Sequence, residues 1–170
     1  MKIMHILVAV AMSAAVVCSA ADGDEQTKTM TQLELAKIMV QLTGLQSSLP
    51  TDRPVTDADY FSLLMFNNIQ PTGGWHAEQS VSRADLARVV VLGMQEGSKV
   101  ENPENPQSWV DYLVSKGVRV DTVGTGTNPV TPIAFPVGVD PTVAVTEVIK
   151  DVVKPLPPVT PTGARRGARI

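Results

Sequence analysis

The feature of this sequence that most constrains its fold is an internal repeat. The ten residues Thr31–Val40 align with the ten residues Ser82–Val91 at an offset of 51. Each copy begins with a hydroxyl residue and has an acid three positions later, Glu34 or Asp85. Thr-x-x-Glu is the spacing of an N-terminal capping box, and Ser-x-x-Asp is a weaker version of it. A chain that repeats a helix start in this way is expected to build its fold from similar units.

Both copies continue with helical periodicity. Apolar or small residues recur three, four and seven positions after the first one, which places them on one face of a helix. We therefore predict two capped helices, over 31–44 and 82–94. The residues on these faces are Leu35, Ile38, Met39 and Leu42 in the first copy, and Leu86, Val89, Val90 and Gly93 in the second.

A second kind of element alternates with the capped helices. An apolar pattern is shared by two segments at an offset of 49, and each segment ends in a pair of residues that stops helices, Asn67-Asn68 or Lys116-Gly117. We predict further helices over 57–67 and 108–116. The aligned residues are Tyr60, Leu63, Leu64 and Ile69 in the first segment, and Trp109, Tyr112, Leu113 and Val118 in the second.

A third capped unit is suggested over 143–153, where Glu147 and Lys150 stand as Asp85 and Arg88 do in the second copy. The hydroxyl cap is missing there, and the β-branched residues make a strand equally compatible with the pattern. The segment is therefore either a helix or a strand.

The predicted fold is all-α, a small bundle of repeated helix pairs over 21–120. Pro-bearing links at 50–56 and 101–107 separate the helices, because Pro disfavours helical conformation in the residue before it. From 121 to 153, Gly, Pro, Thr and Val without helical period predict an irregular extension. The Pro-rich, Arg-tipped segment 154–170 is predicted to be a disordered tail.

Residues 1–20 have the pattern of a secretory signal peptide. Lys2 precedes the uncharged run Ile6–Val17, and small residues follow at Ser19 and Ala20. A run of this length is too short to span a bilayer. Cys18 allows a lipoprotein alternative, but Val17 stands where that processing needs a small residue. We predict an exported protein, in the periplasm, envelope or cell surface, whose mature chain has no transmembrane segment.

Composition argues against several functions. The formal net charge is −3, with 14 basic and 17 acidic residues, so a nucleic acid partner is not expected. His76 is the only histidine after the signal segment and has no cysteine to join it, so we predict no metal, no cofactor and no catalytic triad, and place His76 in an exposed loop. Scattered acids leave a small hydrolase as a minor hypothesis. They are Asp57, Asp59, Glu78 and Asp85.

The segment 60–94 resembles an S-layer homology domain. The resemblance depends on Asn68-Ile69, on Gly73-Gly74-Trp75, and on Ser82-Arg83-Ala84-Asp85 with Trp75 seven residues before Ser82. The sequence departs from the family at Asn68, where a Gly is usual, and at Ala77, where a Pro is usual. Segments 31–44 and 109–118 match half-units only.

The resemblance implies a pseudo-threefold assembly of helix pairs that binds an acidic wall polysaccharide through the motif arginine, here Arg83. Ser82, Gly74 and Trp75 complete the predicted ligand-binding set. A guanidinium at a helix N-terminus is suited to a carboxylate. Two other interpretations stay open: Arg83 as a surface residue paired with Asp85 or Glu78, and Trp75 as a core side chain, which we favour.

We therefore expect a non-catalytic module that binds the cell envelope by recognising an anionic wall or surface glycan, or peptidoglycan. Gln32 replaces the arginine in the first copy, so only one such site is expected. The alternative is an envelope adaptor that binds another protein through its helical repeats or its Pro-rich tail.

Overall fold

The computed structural model describes residues 27–157. The predicted signal peptide lies outside them. Over this range the chain is mostly helical, which confirms the helical class. No helix between residues 27 and 157 has both the length and the apolar character needed to cross a membrane. The strands and α-helices, in chain order, are β1 (Lys28–Thr29), α1 (Gln32–Leu42), α2 (Asp57–Phe66), α3 (Arg83–Gly93), α4 (Pro106–Ser115), β2 (Ala134–Phe135) and α5 (Pro141–Ile149). Short 3-10 helices lie at Leu45–Ser48, Gly97–Lys99 and Val120–Thr122, the last of them within the loop 120–126.

The two predicted caps are present at the starts of α1 and α3. At α1, Glu34 N donates to Thr31 Oγ1 (3.2 Å) and Thr31 N donates to the Glu34 carboxylate (2.8 Å), a complete capping box. At α3, Asp85 N donates to Ser82 Oγ (3.1 Å), but the Asp85 carboxylate accepts from Thr72 N instead of the backbone of Ser82. The second cap is therefore the weaker one, as predicted.

The intervening helices α2 and α4 end at Phe66 and Ser115, directly before the predicted stop pairs. α4 begins at Pro106, two residues earlier than predicted. Asn105 caps it by accepting a hydrogen bond from Gln107 N (3.1 Å). Proline is well tolerated at the first helical position, so the link that was expected to exclude helix in fact starts one.

The segment 143–153 forms most of a helix, α5, and not a strand. Asp140 caps it by accepting from Thr142 N (2.8 Å), and Pro141 occupies the first turn. The expectation that this unit has no cap was wrong. The cap lies farther upstream than the alignment with Ser82 places it.

Three segments that precede helices meet at the centre of the molecule. Val81 N donates to Met30 O (2.8 Å), and Ile133 N donates to Val81 O (2.9 Å). The antiparallel pairing of β1 with β2 joins the third segment to the first. The side chains of Met30, Val81 and Ile133 are all buried. Extended backbone thus links the starts of the helical units.

The helices pack as two pairs, α1 with α2 and α3 with α4, while α1 also contacts α3 and α5. Gly93 of α3 lies against Met39 of α1: a Cβ there would lie 2.6 Å from the terminal methyl of that flexible side chain, which would have to move. The predicted division after residue 120 falls inside this shared core. The residues that 121–153 contributes to it are Val123, Ile133, Phe135, Val145, Ile149 and Val153.

The first residues of the predicted tail lie against the end of α1. Leu156 N donates to Thr43 O (2.8 Å), and the Leu156 side chain packs on the core. The chain therefore has a defined path as far as Pro157, beyond the start predicted for disorder. Residues 158–170 lie outside the described range.

Candidate functional site

Arg83, the predicted ligand-binding arginine, is the first residue of α3 and is only 4% exposed. Its guanidinium donates to Val120 O (3.1 Å), Val123 O (2.9 Å) and Gly126 O (2.5 Å). It forms no ion pair with the nearby carboxylates, so the surface-pair interpretation was wrong. Arg83 ties α3 to the loop 120–126, and all three of its nitrogens are committed to that loop.

Ser82 and Gly74 also have structural roles. Besides capping α3, the Ser82 hydroxyl donates to Asp85 Oδ2 (2.7 Å), and the residue is buried. Gly74 has a left-handed φ of 90° in the turn that leads to Trp75, a conformation that favours glycine. Its N–H donates to Pro71 O (3.2 Å).

Trp75 is part of the core, which confirms the favoured interpretation. It is 9% exposed, and its ring stacks on Phe61 with centroids 5.5 Å apart and planes 10° apart. Its indole N–H donates to Ile69 O (3.0 Å). Trp75 packs toward α2 and Arg83 toward loop 120–126, so the four predicted site residues do not line one open site.

The remaining candidates from the sequence are His76 and the scattered acids. No group of three or more His, Cys, Asp or Glu side chains is placed to hold a metal between residues 27 and 157. His76 is exposed, as predicted. Asp59 is held by Arg53 and by the backbone and hydroxyl of Thr56, and the Arg53 hydrogen bond in particular keeps its pKa well below the usual range.

An open groove lies where the end of α2, the C-terminal half of α3 and the start of α4 meet. Its volume is about 480 Å³. We call it the α3–α4 groove and define it by five side chains that bear on its chemistry: Asn68, Arg88, Gln95, Glu104 and Trp109.

Arg88 and Trp109, which both line the α3–α4 groove, contact each other. The Arg88 guanidinium carbon lies 4.8 Å from the centroid of the Trp109 ring, within the range of a cation–π contact. Its Nε donates to Gln70 O (3.3 Å), while its two Nη atoms form no hydrogen bond to any residue in 27–157. A half-buried, oriented cation therefore presents two uncommitted Nη groups to the groove.

The α3–α4 connector, which forms one wall of the groove, is fixed by Glu96. Its carboxylate contacts Lys99 (2.5 Å), Lys116 (3.3 Å) and the Tyr112 hydroxyl (2.9 Å). The hydrogen bond from Lys99, followed by those from Tyr112 and Lys116, lowers the pKa of Glu96 from 4.5 to about 2. The network ties the connector to α4 and so positions the groove.

Sequence reasoning missed this groove, although a signal for it exists in the repeat. Arg88 aligns with Lys37 at the offset of the capped helices, and Trp109 aligns with Tyr60 at the offset of the other helices. Lys37 lies over the Tyr60 ring at 5.8 Å. The alignment of the repeats therefore places a cation and an aromatic residue at matching positions in both helix pairs.

The chain was compared with protein-family models and with curated proteins, and neither comparison gave a match.

Proposed function

We propose that this protein is an exported, non-catalytic module that binds an anionic glycan of the cell envelope in the α3–α4 groove. The observation that carries the proposal is the position of Arg88. It is a half-buried guanidinium, oriented by Trp109 and Gln70 O, with its outer donors uncommitted within residues 27–157.

The chemistry of the groove is suited to such a ligand. A guanidinium offers parallel donors to a carboxylate, and the contact is stronger where it is partly shielded from water. The amides of Asn68 and Gln95 and the carboxylate of Glu104 can exchange hydrogen bonds with sugar hydroxyls. The groove thus combines a site for negative charge, at Arg88, with two amides and one carboxylate that can hydrogen-bond sugar hydroxyls.

Two further features support an envelope role. The predicted signal peptide directs the chain out of the cytoplasm. The meeting of three pre-helical segments at Met30, Val81 and Ile133 agrees with the pseudo-threefold assembly that the resemblance to S-layer homology domains implies. The proposed contact, however, belongs to Arg88, since the donors of Arg83 bond to loop 120–126.

Co-sedimentation with isolated cell envelopes tests the proposal. The variants are Arg88→Gln, which removes the charge, and Arg88→Lys, which keeps it without the planar donor pair. Lys37→Gln is the matched control, because Lys37 occupies the equivalent position over Tyr60. We expect binding to fall at least about tenfold in Arg88→Gln, since charged hydrogen bonds contribute ~1.5–3 kcal/mol. Arg88→Lys should be intermediate and Lys37→Gln should bind like the unaltered protein.

Salt provides a second readout of the same experiment. Because the Arg88 contact is charge-assisted and partly exposed, binding should weaken as ionic strength rises. Unaltered protein that remains in the supernatant at low salt would reject the proposal, as would undiminished binding of Arg88→Gln.

An envelope adaptor is the second candidate, and one observation favours it. At the end of α2, Phe66 is 72% exposed and Met65 is 50% exposed, adjacent apolar side chains that a protein partner would cover. Crosslinking to purified envelope proteins should then be lost in Phe66→Ser and kept in Arg88→Gln. Absence of a protein crosslink, together with co-sedimentation that is lost in Arg88→Gln and kept in Phe66→Ser, would favour the glycan.

A further inference from the structure

Four helices of this protein end in the same way. The residue after the C-cap adopts a left-handed conformation at Gly44 (φ 71°) after α1, Asn68 (φ 58°) after α2, Gln95 (φ 60°) after α3 and Gly117 (φ 82°) after α4. Glycine is the usual residue at this position, because it has no Cβ to clash in the left-handed region. Two of the four ends therefore carry a side chain where glycine is the less strained choice.

The two ends that carry side chains are the two that face the groove. Asn68 and Gln95 are the only non-glycine residues with positive φ in the part of the chain that the structure describes. Both line the α3–α4 groove, whereas Gly44 and Gly117 are not among its lining residues. Asparagine tolerates this conformation, but glutamine is uncommon in it.

Neither side chain has a structural use that would explain its presence. The amides of Asn68 and Gln95 are exposed and form no hydrogen bond within residues 27–157. The neighbouring Asn67 differs, since its amide donates to Leu63 O (2.8 Å) and so caps the end of α2. Two uncommitted amides on left-handed backbone therefore line the same groove as the Arg88 guanidinium.

We infer that Asn68 and Gln95 determine the specificity of the groove by hydrogen bonding the hydroxyl or amide groups of a sugar unit whose anionic group binds Arg88. This inference rests on the proposed function and narrows its ligand class. An amide side chain offers both donors and an acceptor, so a glycan unit is distinguished from a simple anion by these contacts.

Replacing each residue by glycine tests the inference, because glycine keeps the left-handed backbone and removes only the side chain. We expect the melting temperatures of Asn68→Gly and Gln95→Gly to stay unchanged or rise by up to about 3 °C. Binding to isolated envelopes in the co-sedimentation assay should fall about fivefold in each variant, which corresponds to one neutral hydrogen bond. The double variant should bind more weakly than either.

The matched control is the reverse change at a helix end away from the groove. Gly117→Asn should lower the melting temperature, although no atom lies within 4 Å of the added Cβ, and should leave binding unchanged. A second pair, Asn68→Asp and Gln95→Glu, keeps the side-chain shape and places negative charge in the groove that Arg88 lines. Both should weaken binding of an anionic glycan.

The outcomes separate this inference from the proposed function. If the double glycine variant binds like the unaltered protein while Arg88→Gln does not, the amides have no part in recognition and the inference is overturned alone. If the unaltered protein does not bind envelopes at all, the proposed function and the inference are both overturned. Loss of binding with an unchanged or raised melting temperature supports the inference.

Discussion

The two helix pairs are built on one pattern, yet they present different chemistry at equivalent positions. In the pair α1–α2, Lys37 lies 5.8 Å from the Tyr60 ring centroid and is exposed. In the pair α3–α4, Arg88 lies 4.8 Å from the Trp109 ring centroid and is half-buried in the groove. The repeat therefore supplies the framework of a cation over an aromatic ring, and the surroundings decide whether that cation faces a cleft.

The starts of the same two pairs differ as well. Gln32 is fully buried, its Oε1 accepts from His76 N (2.7 Å), and its Nε2 has no partner among the described residues. Arg83, at the equivalent position, donates to three carbonyls of the loop 120–126. Each side chain ties a capped helix to a distant loop, but only the arginine uses all its nitrogens. The hydrogen bonds of Arg83 should therefore contribute much more to stability than that of Gln32.

The largest predicted effect comes from removing the hydrogen bonds of Arg83 to the loop 120–126. Arg83→Met leaves three loop carbonyls without their donor, so we expect the free energy of unfolding to fall by about 3 kcal/mol or more. Urea denaturation measures this change. Arg83→Lys has fewer donors, so its free energy of unfolding should lie between those of Arg83→Met and the unaltered protein. A loss below about 1 kcal/mol would show that the loop carbonyls are readily solvated, contrary to this account.

The caps should have smaller effects than the Arg83 substitution. Thr31→Ala and Ser82→Ala each remove the acceptor of one backbone N–H at the third helical position, which costs about 1 kcal/mol. Thermal unfolding measures the loss of stability in each variant. These two losses report the hydrogen bond that both helix starts share, apart from the different contacts of Gln32 and Arg83. A cap variant at α3 as damaging as Arg83→Met would mean that the cap, and not the arginine, holds this helix start.

Replacing Gln32 should change stability less than replacing Arg83, Thr31 or Ser82. Gln32→Met removes one hydrogen bond to His76 N but also removes a buried amide nitrogen that has no partner among the described residues. The lost hydrogen bond lowers stability and the removal of the buried nitrogen raises it, so we expect the free energy of unfolding to change by less than about 1 kcal/mol. Urea denaturation would contradict this expectation by showing a loss as large as that of Arg83→Met.

Acid should weaken the contacts that Glu96 makes within the α3–α4 connector and with α4. The lowered pKa of Glu96 means that its contribution to stability is complete above about pH 4.5 and is lost as the pH falls toward about 2. The melting temperature of Glu96→Gln should lie below that of the unaltered protein at pH 6, and the difference should shrink at pH 3. Glu101→Gln, at an exposed position on the same connector, is the control. A difference that does not depend on pH would contradict the assignment.

Local signals predicted much of the fold. The caps at Thr31 and Ser82 and the stop pairs after α2 and α4 depend on residues within one turn of each other, and all four were found. The start of α5 was missed, because its cap at Asp140 does not align with the repeat. Propensity alone left its β-branched sequence undecided between helix and strand.

The site was harder to predict because its determinants are distant in the chain. Arg83 bonds to carbonyls 37 to 43 residues away, and nothing near it in the sequence shows that it is buried. The groove combines Asn68, which follows the end of α2, with Arg88 of α3 and Trp109 of α4. Sequence alignment could pair the cations with the aromatic residues, but only packing shows which pair borders an open cleft.

Tryptophan fluorescence gives the most direct test that ligand enters the groove. The chain has two tryptophans, and Trp75→Phe leaves Trp109 as the only one while keeping an aromatic ring against Phe61. Soluble glycan released from isolated envelopes is titrated into this variant, with circular dichroism as a check of its fold. We predict a saturable change in Trp109 emission that is abolished by Arg88→Gln. Binding detected by sedimentation with no change in Trp109 emission would place the ligand elsewhere and contradict the account.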